Sequence, residues 1–349
     1  MQYSGGMARL QILRLSVLLL SLAPAVAAPA QTATNYRYFR LGNAAGASAT
    51  PRPGYALMGG GSDLDEAFRF LCDRSGGGDF LVLRATGDGD EYNPYIQGLC
   101  HVNSVATLVI PSRAAAADPF VSQAIRHASA LFISGGDQAN YINFWMGTPV
   151  EEALNDAIRR GVPLGGTSAG LAVMGEYCYS AQGDKPEDKD LESKSTLANP
   201  FHLRVTLVHN FLQIPILKGV ITDTHFVKRN RMGRLLVFLA RLNEPGGKPL
   251  PPTAPRVRGI GVQERAAVLL EPDGQASVVG HGSAYFVDAH HADGVLEKGK
   301  PLTFGAFAVQ KVEPGYTFDL KTWGGYATGY WLSVEAGKVR STQPSGAIY

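Results

Sequence analysis

The chain has 349 residues, of which 45% are hydrophobic and 18% are charged, and its formal net charge is +2. This balance, without a dense basic stripe, argues against a nucleic-acid-binding protein. The length is sufficient to bury a large core, and the 41 glycines indicate many tight turns.

The N-terminus has the features of a secretory signal peptide, which we assign to residues 1–28. Arg9 and Arg14 precede an apolar run at residues 15–22, and small residues at 25–27 fit a cleavage site. The run is too short to span a bilayer, so an uncleaved anchor is the weaker alternative. We expect a secreted or periplasmic protein with no stable membrane anchor after cleavage.

The three cysteines, Cys72, Cys100 and Cys178, do not by themselves define a role. In an exported protein one pair can form a disulfide and leave one thiol over, but three buried free cysteines fit equally well. They have no zinc-type spacing with each other or with histidine, so we expect no metal and no cofactor.

The first half of the chain alternates strand and helix patterns after a leading loop at residues 29–54. A strand ends in the glycines 59–61, and the continuous apolar runs FLVL and ALFI are typical of strands buried in a parallel sheet. A later helix begins after the capping residue Thr148 and ends at Gly161. We therefore predict an α/β fold with a mostly parallel, doubly wound sheet.

The second half has a different pattern. A strand ending near Asp223 leads into an arginine-containing helix, and from Gly259 onward short alternating segments predict strands joined by tight turns. We expect one α/β domain over residues 55–349 with a β-rich C-terminal part. Before that strand lies a polar loop with five acidic residues: Asp184, Glu187, Asp188, Asp190 and Glu192.

The stretch Gly166-Thr167-Ser168-Ala169-Gly170 matches the pattern G-x-S-x-G at a predicted strand-to-helix corner. A serine is a useful nucleophile only when a base takes its proton and its Oγ is held clear of the backbone. Flanking glycines permit the sharp turn, and the following helix directs N–H groups at the site. The alternative is an ordinary glycine-rich turn.

A second glycine corner, SGGDQ, ends another predicted strand. The carboxyl ends of parallel strands collect ligand sites, so the N–H groups of Gly136 and Ala169 are candidates for an oxyanion hole. Gln138 is a candidate substrate contact at the rim. A helix cap formed by the glycine pair is the alternative.

His225 is the candidate base among eight histidines, because it follows a predicted core strand. His281 and the adjacent His290 and His291 lie in turn-like segments, where we expect surface positions. A packed, non-catalytic histidine is the alternative for His225.

The base needs a carboxylate to orient it, and Glu264, at the end of an apolar strand, is the candidate. Asp184 is the rival, although its polar loop is poorly suited to hold an imidazole still. Asp223, two residues before His225, is expected either to contact substrate or to hold in place the residues that do.

The chain order Ser168, His225, Glu264 differs from the Ser–acid–His order of α/β-hydrolases and so argues against a lipase or esterase. Together, GGDQ, GGTSAG, THF with the arginines after it, and GIGVQE resemble the cyanophycinase family, serine exopeptidases related to dipeptidase E, over about residues 55–270. The resemblance implies a fold like that of class I glutamine amidotransferases, with serine in place of cysteine, and a Ser168–His225–Glu264 triad. It also implies hydrolysis of β-linked aspartyl-arginine units from cyanophycin, a polyaspartate carrying arginines on its side chains.

By the same resemblance, the substrate pocket is lined by Gln138, Asp223, Thr224, Arg229, Arg231 and Arg234. A guanidinium suits a substrate carboxylate, and a solvated basic face is the alternative for each arginine. The family's Asp-Gln-His is Asp-Thr-His here, a difference that bears on substrate identity. The usual aspartate before the catalytic glutamate is Gln263 here, a difference that bears on the electrostatics beside the triad. The acidic loop either is solvated or contacts the arginine part of a substrate.

Three functions fit these patterns. The first is an exported serine exopeptidase for cyanophycin or a related acidic peptide, and the second is an aspartyl or isoaspartyl dipeptidase with the same machinery. The third is a non-catalytic secreted binding protein on the same scaffold. The expected partners are an acidic or β-aspartyl peptide and a second copy of the chain in a homodimer, with no nucleic acid.

Overall fold

The structure is a computed structural model that describes residues 1–2, 34–185, 188, 190–248, 251, 253–290 and 294–349. In this part of the chain, two β-sheets are flanked by helices. The assigned signal peptide therefore lies almost entirely outside the described residues. Thr34–Tyr349 forms one compact unit.

The α-helices of the described residues are α1 (Asp65–Arg74), α2 (Tyr92–Leu99), α3 (Arg113–Ala116), α4 (Pro119–His127), α5 (Gln138–Trp145), α6 (Pro149–Arg159), α7 (Ala169–Ala172), α8 (Ser193–Ala198) and α9 (Met232–Asn243). Short 3-10 turns lie at Pro215–Leu217, Pro245–Gly247 and Pro344–Gly346.

The first sheet has ten strands in the order β1-β4-β3-β5-β6-β2-β11-β12-β15-β16. Their bounds are β1 (Arg37–Gly42), β2 (Tyr55–Met58), β3 (Asp79–Arg84), β4 (Ser104–Val109), β5 (Ala130–Ile133), β6 (Leu164–Thr167), β11 (Ala266–Leu270), β12 (Gln275–Gly280), β15 (Thr317–Asp319) and β16 (Gly324–Gly325).

The second sheet has eight strands in the order β18-β17-β14-β13-β10-β9-β7-β8. Their bounds are β7 (Tyr177–Tyr179), β8 (Leu207–His209), β9 (Val220–Asp223), β10 (Arg258–Val262), β13 (Ala284–Ala289), β14 (Phe304–Val312), β17 (Thr328–Glu335) and β18 (Lys338–Ser341).

The α/β class is confirmed, but parallel pairing is confined to part of each sheet. In the first sheet the run β4-β3-β5-β6-β2 is parallel throughout, and in the second only β10-β9-β7 is. The other pairings are antiparallel. Short turns that reverse the chain join two of these pairs, β11-β12 and β17-β18. The likeness to class I glutamine amidotransferases stays a prediction.

Two local predictions need correction. The leading loop contains β1, an edge strand antiparallel to β4, which its mostly exposed residues did not reveal. The helix predicted to carry the arginines begins only at Met232, because the preceding residues form a turn in which Arg231 N donates to Phe226 O at 2.9 Å.

Helix α6 forms as its sequence predicts. Thr148 Oγ1 accepts a hydrogen bond from Val150 N at 3.2 Å, and Pro149 supplies a first helical residue that needs no N–H partner. Its apolar face, which includes Val150 and Leu154, is buried in the core around the first sheet. Each such side chain contributes about 1.5–3 kcal/mol of hydrophobic stabilisation.

A disulfide joins Cys72 at the end of α1 to Cys100 after α2. Cys178 is free and buried, and its burial raises the pKa of the thiol to about 12. In the part of the chain that the structure describes, no helix has both the length and the apolar character to cross a membrane.

Candidate active site

Ser168 lies at the corner between β6 and α7, with φ 53° and ψ −118°. A non-glycine residue rarely adopts this conformation, which stores strain and is typical of a nucleophile at a strand-to-helix turn. A Cβ on Gly170 would lie 2.0 Å from Ile133 O, and one on Gly166 would lie 2.6 Å from the carbonyl carbon of Gly170. The turn therefore requires glycine at both positions of the pattern.

Ser168, His225 and Glu264 form a continuous hydrogen-bonded chain. Ser168 Oγ lies 2.7 Å from His225 Nε2, and His225 Nδ1 lies 2.6 Å from Glu264 Oε1. Ser168 follows β6 of the first sheet, whereas the other two residues follow β9 and β10, which are parallel neighbours in the second. The arrangement thus joins the carboxyl ends of strands from both sheets.

The environment of His225 favours its neutral form. Burial lowers the pKa of the imidazole below its ordinary value, and the positive charges of Arg229 and Arg231 act in the same direction, while the hydrogen bond to Glu264 opposes them. A carboxylate acceptor at Nδ1 selects the tautomer whose lone pair is on Nε2. His225 is therefore suited to take a proton from Ser168 at neutral pH.

A loop of three glycines after β2, Gly59–Gly61, supports His225 and was not assigned a role from the sequence. Gly59 O accepts a hydrogen bond from His225 N at 2.7 Å, and Gly60 O accepts one from Arg265 N at 2.9 Å. Gly60 has φ +92°, and a Cβ there would lie 2.5 Å from His225 Cε1. The triple glycine is visible in the sequence, but its partner is not.

A cavity of about 560 Å³ opens beside Ser168 and His225. Of the described histidines, His225 alone lines it. Its lining also includes the three residues predicted as oxyanion or rim groups: Gly136, Ala169 and Gln138. The adjacent Gly135 is close to the nucleophile, since a Cβ on it would lie 3.5 Å from Ser168 Cβ.

Asp223 and Arg234, both predicted as substrate contacts, are paired with each other. Arg234 Nε donates to Asp223 Oδ2 at 2.8 Å, its Nη2 donates to Oδ1, and each side chain is only 3% exposed. The guanidinium also lies over the ring of Tyr179, 5.1 Å from its centroid. Because its carboxylate is already engaged and buried, Asp223 holds Arg234 in place rather than binding substrate directly.

Thr224 and Arg231 are a second internal pair. Arg231 Nη1 donates to both Thr224 O and Thr224 Oγ1 at 3.0 Å. Burial, followed by the nearby Arg234, lowers the pKa of Arg231 to about 10, so it stays charged at neutral pH. The hydroxyl that replaces the family's amide thus positions an arginine at the cavity wall.

Asp190 contacts two of the three arginines that line the cavity, Arg229 and Arg231. Its Oδ2 accepts hydrogen bonds from Arg229 Nη1 at 2.7 Å and from Arg231 Nη2 at 2.8 Å. Burial would raise the pKa of this carboxyl, but the two guanidiniums outweigh it and lower the pKa. Part of the acidic loop therefore faces the protein's own arginines, while Glu187 lies outside the described residues.

The rival site residues are engaged elsewhere. Asp184 Oδ1 accepts a hydrogen bond from Arg204 Nε at 2.6 Å and lies near the hydroxyl of Tyr179. His290 packs against Trp331 with ring centroids 5.2 Å apart, and His291 is outside the described residues. Among the residues that the structure describes, no group of three or more His, Cys, Asp or Glu side chains is placed to hold a metal.

Comparison with known proteins gives the same family as the motifs. The model of peptidase family S51 matches residues 90–204, which include Gly136, Gln138 and Ser168. A cyanophycinase of Nostoc sp. is 29% identical over 206 residues, which cover 57% of this chain and 60% of that protein. These comparisons support a cyanophycinase-like peptidase similar to family S51.

Two further cyanophycinases extend the likeness. That of Geminocystis herdmanii is 30% identical over 167 residues, covering 47% of this chain and 51% of that protein. That of Synechococcus elongatus is 26% identical over 279 residues, covering 76% and 78%. The chain spans about 60% of the length of the Nostoc cyanophycinase.

A solved peptidase structure from an acI-B1 Actinobacterium is 17% identical and covers 78% of this chain and 98% of that one, with a TM-score of 0.48.

Proposed function

We propose that this chain is an exported serine exopeptidase that hydrolyses β-aspartyl-arginine units of cyanophycin or of a related acidic peptide. The observation that carries the proposal is the hydrogen-bonded chain from Ser168 Oγ through His225 to Glu264 Oε1, beside a cavity with arginines in its wall. The likeness to cyanophycinases supports the substrate class.

The reaction begins with attack by Ser168 Oγ on the carbonyl carbon of the scissile bond. His225 Nε2, 2.7 Å away, accepts the hydroxyl proton as the new C–O bond forms. Glu264 stabilises the resulting imidazolium through its 2.6 Å hydrogen bond to Nδ1 and keeps the ring oriented.

The negative charge of the tetrahedral intermediate falls on the former carbonyl oxygen. We assign its stabilisation to the N–H groups of Gly136 and Ala169, because both residues line the cavity and Ala169 directly follows the nucleophile. Collapse breaks the C–N bond, and the leaving amine takes the proton from His225. Water then attacks the acyl-enzyme, again with His225 as base, and releases the acid product and free Ser168.

Arginines in the cavity wall provide the selection for acidic substrates. Arg229 is 42% exposed and so can reach a bound carboxylate, and Arg231 offers its Nη2, which in the free protein donates to Asp190. Gln138 adds a neutral polar group at the rim. A guanidinium fork binds a carboxylate with two charge-assisted hydrogen bonds.

Export is supported by the disulfide between Cys72 and Cys100, since disulfides persist in oxidising compartments. We therefore retain the secreted or periplasmic location as part of the proposal. The homodimer also stays a prediction, which light scattering of the purified protein checks.

The test is product identification by mass spectrometry after the protein is incubated with cyanophycin and, separately, with a panel of α- and β-linked Asp-X dipeptides. Release of β-aspartyl-arginine from cyanophycin supports the proposal. Cleavage of the dipeptides alone would instead identify a dipeptidase. The absence of any hydrolysis, with a folded protein, would favour the binding-protein alternative.

A further inference from the structure

Two of the three arginines that line the cavity, Arg229 and Arg231, share a carboxylate that belongs to the protein itself. One oxygen of Asp190, Oδ2, accepts from Arg229 Nη1 at 2.7 Å and from Arg231 Nη2 at 2.8 Å. The Asp190 side chain is 51% exposed and lines the cavity. A carboxylate between two guanidinium donors is the same arrangement that an acidic ligand would adopt there.

The third arginine in the cavity lining, Arg234, is already paired with another carboxylate of the protein. Arg234 is engaged by the buried Asp223, which lies 3.6 Å from Arg231 Nη1. The same Nη1 donates to Thr224. Of the three guanidinium groups in the cavity lining, those of Arg229 and Arg231 are therefore the two that Asp190 contacts.

We propose that Asp190 is a specificity-determining residue that occupies the position of the substrate carboxylate, so that an acidic ligand binds by displacing it from Arg229 and Arg231. This rests on the proposed function, since it names how the same site selects carboxylates. An acidic ligand replaces the ion pairs that it breaks, whereas a neutral ligand of the same shape does not. Asp190 thereby sets the affinity for acidic ligands and returns to the arginines when an acidic product leaves.

The exposure of Asp190 makes displacement energetically accessible. The Asp190–Arg229 pair is about half exposed and contributes little net stability, because water solvates both partners when they separate. Arg231 is only 8% exposed, so its Nη2 needs the incoming carboxylate as a replacement partner. The displaced carboxylate returns to solvent at low cost, and the incoming carboxylate recovers the two charge-assisted hydrogen bonds.

The experiment measures direct binding of succinate by isothermal titration calorimetry to the wild-type full chain and to Asp190→Asn. Succinate requires no turnover, so the result is independent of whether the proposed hydrolysis occurs. We expect Asp190→Asn to bind succinate about three- to thirtyfold more tightly than wild type, the range that two ion pairs made by one half-exposed carboxylate correspond to. Succinamide, the neutral analogue, should bind wild type more weakly than succinate does, because it cannot replace the ion pairs that Asp190 makes.

Glu192→Gln is the matched control. Glu192 is an exposed acid two residues further along the chain and is not among the residues that line the cavity. The Glu192→Gln substitution removes the same negative charge from the same segment. If the charge alone changed succinate binding, both variants would therefore show the change. Asp190→Ala, with a melting temperature measured for each protein, guards against a misfolded Asn variant.

Tighter succinate binding in both Asp190 variants, with Glu192→Gln unchanged, supports the proposal. Unchanged or weaker binding in folded Asp190 variants would overturn it, because Asp190 would then hold the arginines in place or bind substrate itself. Equal tightening in Glu192→Gln would also overturn it, because displacement would not be needed to explain the effect.

Discussion

Gly60 lies directly against the imidazole of His225, so that a Cβ at this glycine would be 2.5 Å from Cε1 and 2.6 Å from Nε2. Gly60 also has φ +92°, a conformation that costs other residues about 1–2 kcal/mol. The glycine loop of the first sheet thus sets the position of the base from the second sheet.

Gly60→Ala is expected to lower kcat by about a hundredfold, since a displacement of the base of about 1 Å is sufficient for that. Gly315→Ala is the control, because Gly315 has φ +88° but a Cβ on it would have no neighbouring heavy atom within 4 Å. Both variants carry the same backbone cost, so Gly60→Ala should lose at least as much unfolding free energy as Gly315→Ala, measured by urea denaturation. Equal activity of the two variants would show that contact with His225 does not matter.

Glu264→Gln is expected to lower kcat by about 10³–10⁴-fold, as happens when an amide favours the wrong histidine tautomer. The amide NH₂ of the new glutamine would donate to His225 Nδ1, and the ring proton would then be on Nε2. A protonated Nε2 cannot accept the hydroxyl proton of Ser168. Glu271→Gln, which removes a carboxylate paired with Arg74, serves as control. Activity of Glu264→Gln within tenfold of wild type would exclude the assigned role.

Arg229→Gln is expected to shift the acid limb of the pH profile of kcat/KM to higher pH. The positive charge of Arg229 lowers the pKa of His225, so its removal makes the imidazole easier to protonate. The base is then lost at a higher pH as the solution is acidified. A full pH profile of both proteins checks this, and a limb that stays in place or moves to lower pH would contradict it.

Tyr349→Phe is expected to destabilise the turn that carries His225. The phenol oxygen accepts from Met232 N at 2.9 Å, at the start of α9, and lies 3.3 Å from Phe226 O. Loss of these bonds should cost about 1 kcal/mol of unfolding free energy and lower kcat more than it raises KM. Tyr326→Phe, at a residue 69% exposed, is the control, and equal effects of both variants would refute a specific role.

The sequence was sufficient to predict that Ser168, His225 and Glu264 come together, because each follows a predicted strand, and their catalytic roles stay a prediction. It was not sufficient to predict the pairing of Asp223 with Arg234 or of Asp190 with Arg229. Such ion pairs depend on which side chains the tertiary fold brings together, and residue types alone show only that each could bind an opposite charge.

The sheet organisation was predicted in part for a related reason. Continuous apolar runs identify buried strands such as β3 and β5, but they do not show which strands are neighbours. The division into two sheets, and hence the placement of Ser168 on one and His225 on the other, follows from pairings between distant segments.

The most direct test of the central claim is the rate at which Ser168→Ala releases product from the acidic peptide that wild type cleaves. Removal of Oγ, the atom 2.7 Å from His225 Nε2, should lower kcat by about 10⁴-fold or more while the protein remains folded. A Ser168→Ala protein that retains full peptidase activity would contradict the account.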